Sequence, residues 1–534
     1  MSLERDFNNY YFITRGDHYE KESKRNRKGI ALLLALSLMA GSCSLQGCSS
    51  SAGQSQESNV STVGKDGEEP YTIVYAFDVW MQQPDWDLVE ENLNKLVEEK
   101  IGARVELLPM TGANYDQQIN LMISSGEKLD LYNASARTTF TTDVSSNKIM
   151  GLDEEMVKQH AQGLLDVEGD FIKATTINGK IYGFPTIRDM ANAYGLIIRD
   201  DIAQKYGVEI NDKMGALTVD QVDELFAKIK EGEPDMYVTQ PQGQTTSVLD
   251  SFFKQHDSMG DDMGVLLDHG QGSLKLVDLF ETPYYEDAVR KAREWNEKGY
   301  ILPDASTNPD TGVSYYKTGK VATTLSLIHP GVPTDNSNMT GIKSDAVIVN
   351  PAFTNTQQVG AIIQAIPTTC ENPEKVLEFL NLLYTDADVY NALVWGVEGT
   401  HYAHVDGSDT WITYPEGVSA DTSGYTLSAT YAFGNRYLSY IWNTDPENLN
   451  EKFKEFNDSA IRSNALGFVF DPSNVKTEVA AVQAVFDQYR LPLENGVIDP
   501  DENLPKFIQA LKDAGIDTVI AEKQKQLDAW AAAN

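Results

Sequence analysis

Between residues 71 and 107 the chain alternates strand, helix and strand, and this alternation restricts the possible fold more than any other stretch. Residues 71–77 (YTIVYAF) form a short apolar run of strand-forming side chains. Residues 85–100 (DWDLVEENLNKLVEEK) predict a helix with Leu88, Leu93 and Leu96 on one face, closed by Gly102, and residues 103–107 (ARVEL) read as the next strand. Such a unit implies a parallel pair with a right-handed crossover, and hence α/β layering. A second helix is predicted over 115–125, stopped by Gly126, with a short strand at 129–132. Further helices are expected at 218–231, 285–298 and 374–384, and two more within 505–530, separated near Gly515. At 534 residues the chain exceeds a single core, so two or more domains are expected.

The net charge of −36, from 43 basic and 79 acidic residues, repels phosphate backbones and excludes nucleic acid as a partner. Its ordinary meaning is a well-solvated exterior. Cys43, Cys48 and Cys370 are too few, and too scattered, for a disulfide framework or a cysteine-based zinc site. His401 and His404 are the close histidine pair, but no carboxylate stands at ligand spacing beside them. They read as surface or hinge residues, and no metal or cofactor is expected.

The start of the chain has the layout of an export signal. Residues 21–28 (KESKRNRK) carry five positive charges, and 30–40 (IALLLALSLMA) are unbroken small and apolar residues. Eleven helical residues span ~16 Å, about half a bilayer core, which suits a signal segment and not a stable membrane span. Leu45-Gln46-Gly47-Cys48 follows, with Leu at −3 and a small residue at −1, the form of a lipobox. Cys43, preceded by Ala40-Gly41-Ser42, fits less well. Cys48 is therefore the expected lipidation site, with 1–47 removed and the Ser-rich residues 48–69 left as a flexible tether to the outer face of the cell membrane.

Four stretches resemble one family. They are YDQQINLMISSGEKLD (115–130), NGKIYGFP (178–185) with YGLIIRDDIAQKYG (194–207), YKTGKVA (316–322), and ENPEKVLEFLNLLYTDADVYNALVWGVEGTHY (371–402). In this order they resemble the extracellular solute-binding proteins of ABC importers, the type 1 carbohydrate-uptake group. LGFVFDPSNVKTEVAA, LKDAGID and KQLDAW, within 466–530, resemble an extra C-terminal module of a lipoprotein subgroup. The resemblance implies an α/β, two-lobe periplasmic-binding-protein-like fold with a hinge and an inter-lobe cleft. It places lobe 1 at 70–190 with 345–395 returning to it, and lobe 2 at 191–344 with 396–465 contributing. A helical module at 466–534 would pack on lobe 2. It also implies a monomeric receptor that passes a small solute, a carbohydrate, to membrane permease subunits.

A sugar site needs flat aromatics for CH faces and planar polar groups for hydroxyls. Asp78 and Trp80, just past the first strand, are the first choices as acceptor and platform. Asn133 follows the 129–132 strand, and Arg188 and Asp189 follow the first crossing segment, where a structural ion pair is an equal reading. Trp395 and Glu398 lie in the VWGVEG turn, and Arg436 lies in GNRYLSYIW beside Tyr437 and Tyr440. Trp295, inside a helix, reads as core. The rival reading is an exported glycosidase, which needs two carboxyls at a defined separation. No sequence feature marks such a pair, and neither a GxSxG elbow nor a Walker loop occurs. DASTNPDTGVSY (304–315) alternates oxygen ligands as a calcium loop does, but lacks its central Gly and closing Glu.

Overall fold

The computed structural model describes residues 70–533, apart from 212–213, 242–245, 303–304 and 307–311. The leader with Cys43 and Cys48, the tether, and much of the 304–315 stretch lie outside the described residues.

Two twisted sheets organise the chain. In the first, strand Tyr71–Val79 is central and pairs in parallel with Ala103–Thr111 from Tyr71↔Ala103 to Val79↔Thr111. Leu131–Ala134 joins its other side, followed by Ile363–Ala365 and Phe184–Pro185. The second sheet runs Ile461–Arg462, Ser344–Thr354, Asn192–Arg199, Val321–Ile328, Tyr237–Pro241. Helix Trp86–Ile101 covers the first sheet through Trp86, Val89, Leu93 and Val97, spaced three or four residues apart. Leu88 is not part of that face: it is 39% exposed, because the buried stripe runs one position further along the helix. Gly102 ends the helix in the left-handed conformation, φ 63°.

The lobes divide differently from the expected boundaries. Strand Ser344–Thr354 belongs to the second sheet, antiparallel to Asn192–Arg199, so the return to the first lobe follows Asn355 and not residue 345. Residues 396–465 are shared. Tyr425, Leu427, Ala432 and Phe433 lie in the first lobe's core, whereas Ile461–Arg462 pairs with Phe353 and Thr354 in the second sheet. An apolar run shows that a strand is buried, but not which sheet buries it.

Helices Lys476–Glu494, Pro500–Ala514 and Ile516–Ala533 close the chain. Their Val482, Phe486, Phe507, Leu511 and Val519 share one continuous core with Phe226, Phe252, Phe280 and Trp295 of the second lobe. Trp295 is fully buried there, and its indole donates to Asp223 Oδ1 at 2.7 Å. A polar seam reinforces the joint. Glu494 accepts from Ser247 at 2.9 Å, Tyr285 at 3.1 Å and Arg490 at 3.0 Å. Arg490 also pairs with Asp262 at 3.1 Å. Burial alone would raise the Asp262 carboxyl, but the Arg490 charge and a hydrogen bond from His256 hold it far below the usual carboxylate range. Among the described residues no helix is long and apolar enough to cross a membrane.

Glu168, in the first lobe, is 1% exposed and neither carboxyl oxygen has a hydrogen-bond partner. The Tyr384 phenol near it donates instead to the Pro185 carbonyl at 2.7 Å. Burial pushes this carboxyl well above its ordinary value, so folding favours its protonated form. The unfolded chain then holds fewer protons above the ordinary carboxylate range, and stability falls as pH rises until the folded group itself ionises. In that window Glu168 contributes a slope approaching ~1.4 kcal/mol per pH unit. Urea unfolding from pH 5 to 8 is expected to show a steeper loss for the native chain than for Glu168→Gln. Parallel profiles would mean that the carboxyl is solvated.

Candidate functional site: an inter-lobe cleft

Strand directions decide which residues face one another across the lobes. In the first sheet three strands are parallel, so Val79–Trp80, Thr111 and Ala134–Ser135 emerge at one edge. Pro185 and Ile363 pair with each other beside Ala134, and thus both crossing segments meet that same edge. In the second sheet Asn192, Thr354 and Ile328 lie together at the facing edge, since Phe353 pairs with Asn192 and Ile328 with Ala193. His329 follows directly. The cleft lies between these edges, the usual crevice of open α/β sheets.

Three buried side chains tie the crossing segments. Gln358 accepts from Arg137 at 2.7 Å and Asn192 at 2.8 Å through Oε1, and donates to the Asp189 carbonyl at 3.0 Å. Arg188, 5% exposed, donates to the Gln358 carbonyl at 2.7 Å and to Asp189 Oδ1 at 3.1 Å. Asn457 accepts from the Met190 amide at 2.8 Å and donates to the Arg188 carbonyl at 2.6 Å and the Tyr437 hydroxyl at 2.8 Å. A third connection passes beside them. The Ile187 amide donates to the Gly434 carbonyl at 2.8 Å and the Arg436 amide to the Ile187 carbonyl at 2.9 Å. Gly434 has φ 46°, and a Cβ there would stand 2.2 Å from the Leu383 carbonyl oxygen, so only glycine fits.

The cleft floor is charged. Burial opposes ionisation of Asp189, but Arg188, His329 and Arg436 together hold its carboxyl below the usual range. Arg436 lies 3.6 Å over the Phe453 ring, and His329 stacks on the same ring at 5.8 Å. The walls carry two acids of a different kind. Asp78 on the first lobe and Asp335 on the second are both open to water, yet burial raises both carboxyls. Asp116 adds like charge to Asp78, and His329 and Arg436 partly offset the rise at Asp335.

The residues singled out in the sequence fall into three groups. Asp78, Trp80, Asp189 and Arg436 stand at the cleft edge or floor; Trp80 is half-buried, and its indole N–H has no partner among the described residues. Asn133 and Arg188 are taken up by protein partners. Asn133 accepts from Tyr75 at 2.9 Å and donates to the Ala432 carbonyl at 3.3 Å. Trp395 packs against the first lobe's core and its indole donates to Ser439 at 3.1 Å, whereas Glu398, three residues on, is exposed. His401 is not a surface residue. It is 2% exposed, accepts from the Val397 amide at 2.9 Å through Nδ1, and so donates from Nε2 to Asp85 at 3.1 Å. The described residues hold no group of acids, histidines or cysteines arranged for a metal. Sequence reading missed His329, Asp335, Gln358 and Asn457. The first two had a signal, since HPGVPTD directly follows the strand TTLSLI.

Two sheets hinged by three connections, with acids and an unpaired indole on the facing walls, define a protein that closes on a solute. Residues 85–390 match the bacterial extracellular solute-binding protein family, and 464–532 match a domain of unknown function, DUF3502. The chain belongs to the bacterial extracellular solute-binding protein family. It is 26% identical over 501 residues to a carbohydrate ABC transporter substrate-binding protein of Streptococcus pneumoniae serotype 4, covering 92% of this chain and 96% of that one. Its fold is similar to the N-glycan transport solute binding protein NgtS of S. pneumoniae, with TM-score 0.74, 24% identity, and 86% and 98% of the two chains covered. The same protein in complex with Man5GlcNAc superposes with TM-score 0.62 at 24% identity, over 87% of this chain and 99% of that chain.

Proposed function

We propose that this protein captures an oligosaccharide in the inter-lobe cleft and presents it to an ABC permease, performing no chemistry itself. The observation that carries the reading is an exposed acid at the cleft edge of each sheet, Asp78 at the end of Tyr71–Val79 and Asp335 just past Val321–Ile328, with the unpaired Trp80 indole two residues beyond Asp78. Carboxylates accept from sugar hydroxyls and the indole covers a CH face. Asp189 and Arg436 extend the polar floor, with Arg188 and Asn133 bracing the walls behind them. The carbohydrate relatives support this ligand class. A hinged receptor reports its ligand by closing.

The protein acts as an exported monomer, tethered at Cys48 to the outer face of the membrane, which raises its effective concentration beside the permease. Cys48→Ala is expected to move it from the membrane to the soluble fraction on cell fractionation; retention would place the anchor at Cys43 or an uncleaved leader. Calorimetry of the mature chain against a glycan panel, paired with a reducing-end assay, tests the ligand class. Binding without release of new reducing ends is expected. Release would make the protein a glycosidase, and no heat from any glycan would overturn the carbohydrate reading.

A further inference from the structure

A salt bridge joins the two lobes on the side of the hinge that faces away from the cleft, and strand order fixes that side. In the second sheet the crossing strands Ser344–Thr354 and Asn192–Arg199 lie between Ile461–Arg462 and Val321–Ile328. Arg462 and His329 therefore flank the hinge on opposite sides. In the first sheet Ile363–Ala365 and Phe184–Pro185 form one end, and Tyr71–Val79 lies beyond Leu131–Ala134. The short helical turn Gly169–Thr175 is fastened to that end: the Thr175 hydroxyl donates to the Gly183 carbonyl at 2.7 Å, directly before Phe184. Asp170, in this turn, thus lies across the hinge from Trp80, as Arg462 lies across it from His329.

The two residues meet there. The Arg462 guanidinium donates to Asp170 Oδ2 at 3.1 Å and lies 5.1 Å over the Phe171 ring. Asp170 Oδ1 is held by Lys173 at 2.9 Å, within the same turn. Four residues past Arg462, Leu466 packs against the first lobe's core, although the strand before it belongs to the second sheet. Both ends of the contact are anchored. The Arg462 carbonyl accepts from Gln271, and the Ser463 amide donates to the Thr354 carbonyl at 3.0 Å. Phe171, on the other lobe, is 8% exposed within its core.

Two bodies that turn about the crossing strands behave as a seesaw. A rotation that carries Trp80 toward the second lobe carries Asp170 and Phe171 away from Arg462. A contact made in one arrangement and lost in the other shifts the balance between them by its own free energy. We infer that Arg462 and Asp170 form a rear latch that holds the cleft open and so lowers affinity for a solute that neither residue touches. The inference rests on the reading of capture by cleft closure and adds to it a control of affinity from outside the site. The side chains are 35% and 55% exposed, which keeps the weight of the latch to a several-fold change.

Calorimetry with the tightest-binding glycan of the panel tests it. Arg462→Ala and Asp170→Asn are each expected to bind about fivefold tighter than the native chain, ~1 kcal/mol. The double variant is expected to bind no tighter than either single one, because both remove the same contact. Asp170→Asn keeps the side-chain shape at an exposed position, and so keeps the test decisive if Arg462→Ala fails to fold. A pair that serves the fold alone would leave affinity unchanged or weaken it, and either result would overturn the latch while leaving cleft capture standing. Gains that add in the double variant would overturn it too. Absence of binding by every glycan would overturn both readings.

Discussion

Asn457→Ala is expected to destabilise the chain by about 3 kcal/mol and to loosen the joint between the lobes. The side chain is 1% exposed and holds three groups from two other segments: the Met190 amide and the Arg188 carbonyl from one, and the Tyr437 hydroxyl from the other. Truncation strands all of them in a place water reaches poorly, and each unsatisfied buried polar group costs ~1–3 kcal/mol. Because two of the three belong to the first crossing segment, the loss falls on the hinge and not on either lobe's core. Urea unfolding followed by near-ultraviolet circular dichroism reads it. An unchanged midpoint would show that Gln358 and Arg188 suffice without Asn457.

Trp80→Ala is expected to weaken capture of the preferred glycan about a hundredfold, ~2.7 kcal/mol, while leaving the unfolding midpoint nearly in place. The two halves of this expectation rest on the same fact. Trp80 is half-buried at the cleft edge, and its indole has no hydrogen bond among the described residues to lose on truncation. Its neighbour in sequence and shape, Trp86, is the control. That ring is 9% exposed and packs edge-on against Phe77 and Tyr425, so Trp86→Ala acts on stability. Fluorescence titration of the two variants separates platform from core. Equal affinity after Trp80→Ala would remove Trp80 from the site.

The first lobe was legible because its signals are local. The 71–107 unit and the glycine stops at Gly102 and Gly126 set geometry within a few residues, as the break at Gly515 does in the C-terminal helices. Helix 115–125 occupies the expected range. The allocation of strands to lobes was not legible. Ser344–Thr354 is as apolar as a first-lobe strand, and its place depends on Asn192–Arg199, some 150 residues earlier. Strand ends pointed to Asp78 and Trp80 at the cleft edge, but the same rule misled at Asn133. Expected just past a strand, that side chain lies inside Leu131–Ala134 and is held by Tyr75 and by the Ala432 carbonyl, a partner about 300 residues away. Gln358 and Asn457 carried no signal, because an amide that ties three segments looks like any other amide until those segments are brought together.

The shared core of the second lobe and the C-terminal helices makes the tail a handle for watching the receptor work. Family patterns split the chain between residues 390 and 464, but Phe486 and Phe507 each pack on Phe280 with ring centres 5.0 Å apart. A dye on the outer face of the last helix, at the exposed Lys525, therefore rides with the second sheet. A second dye at the exposed Lys95 rides with the first. In a soluble chain begun after Cys48, cysteines placed at those two positions meet little competition: the remaining native thiol, Cys370, is 7% exposed and pushed up to about 12 by burial. Energy transfer between the two dyes then reports the angle between the lobes one molecule at a time, with and without sugar.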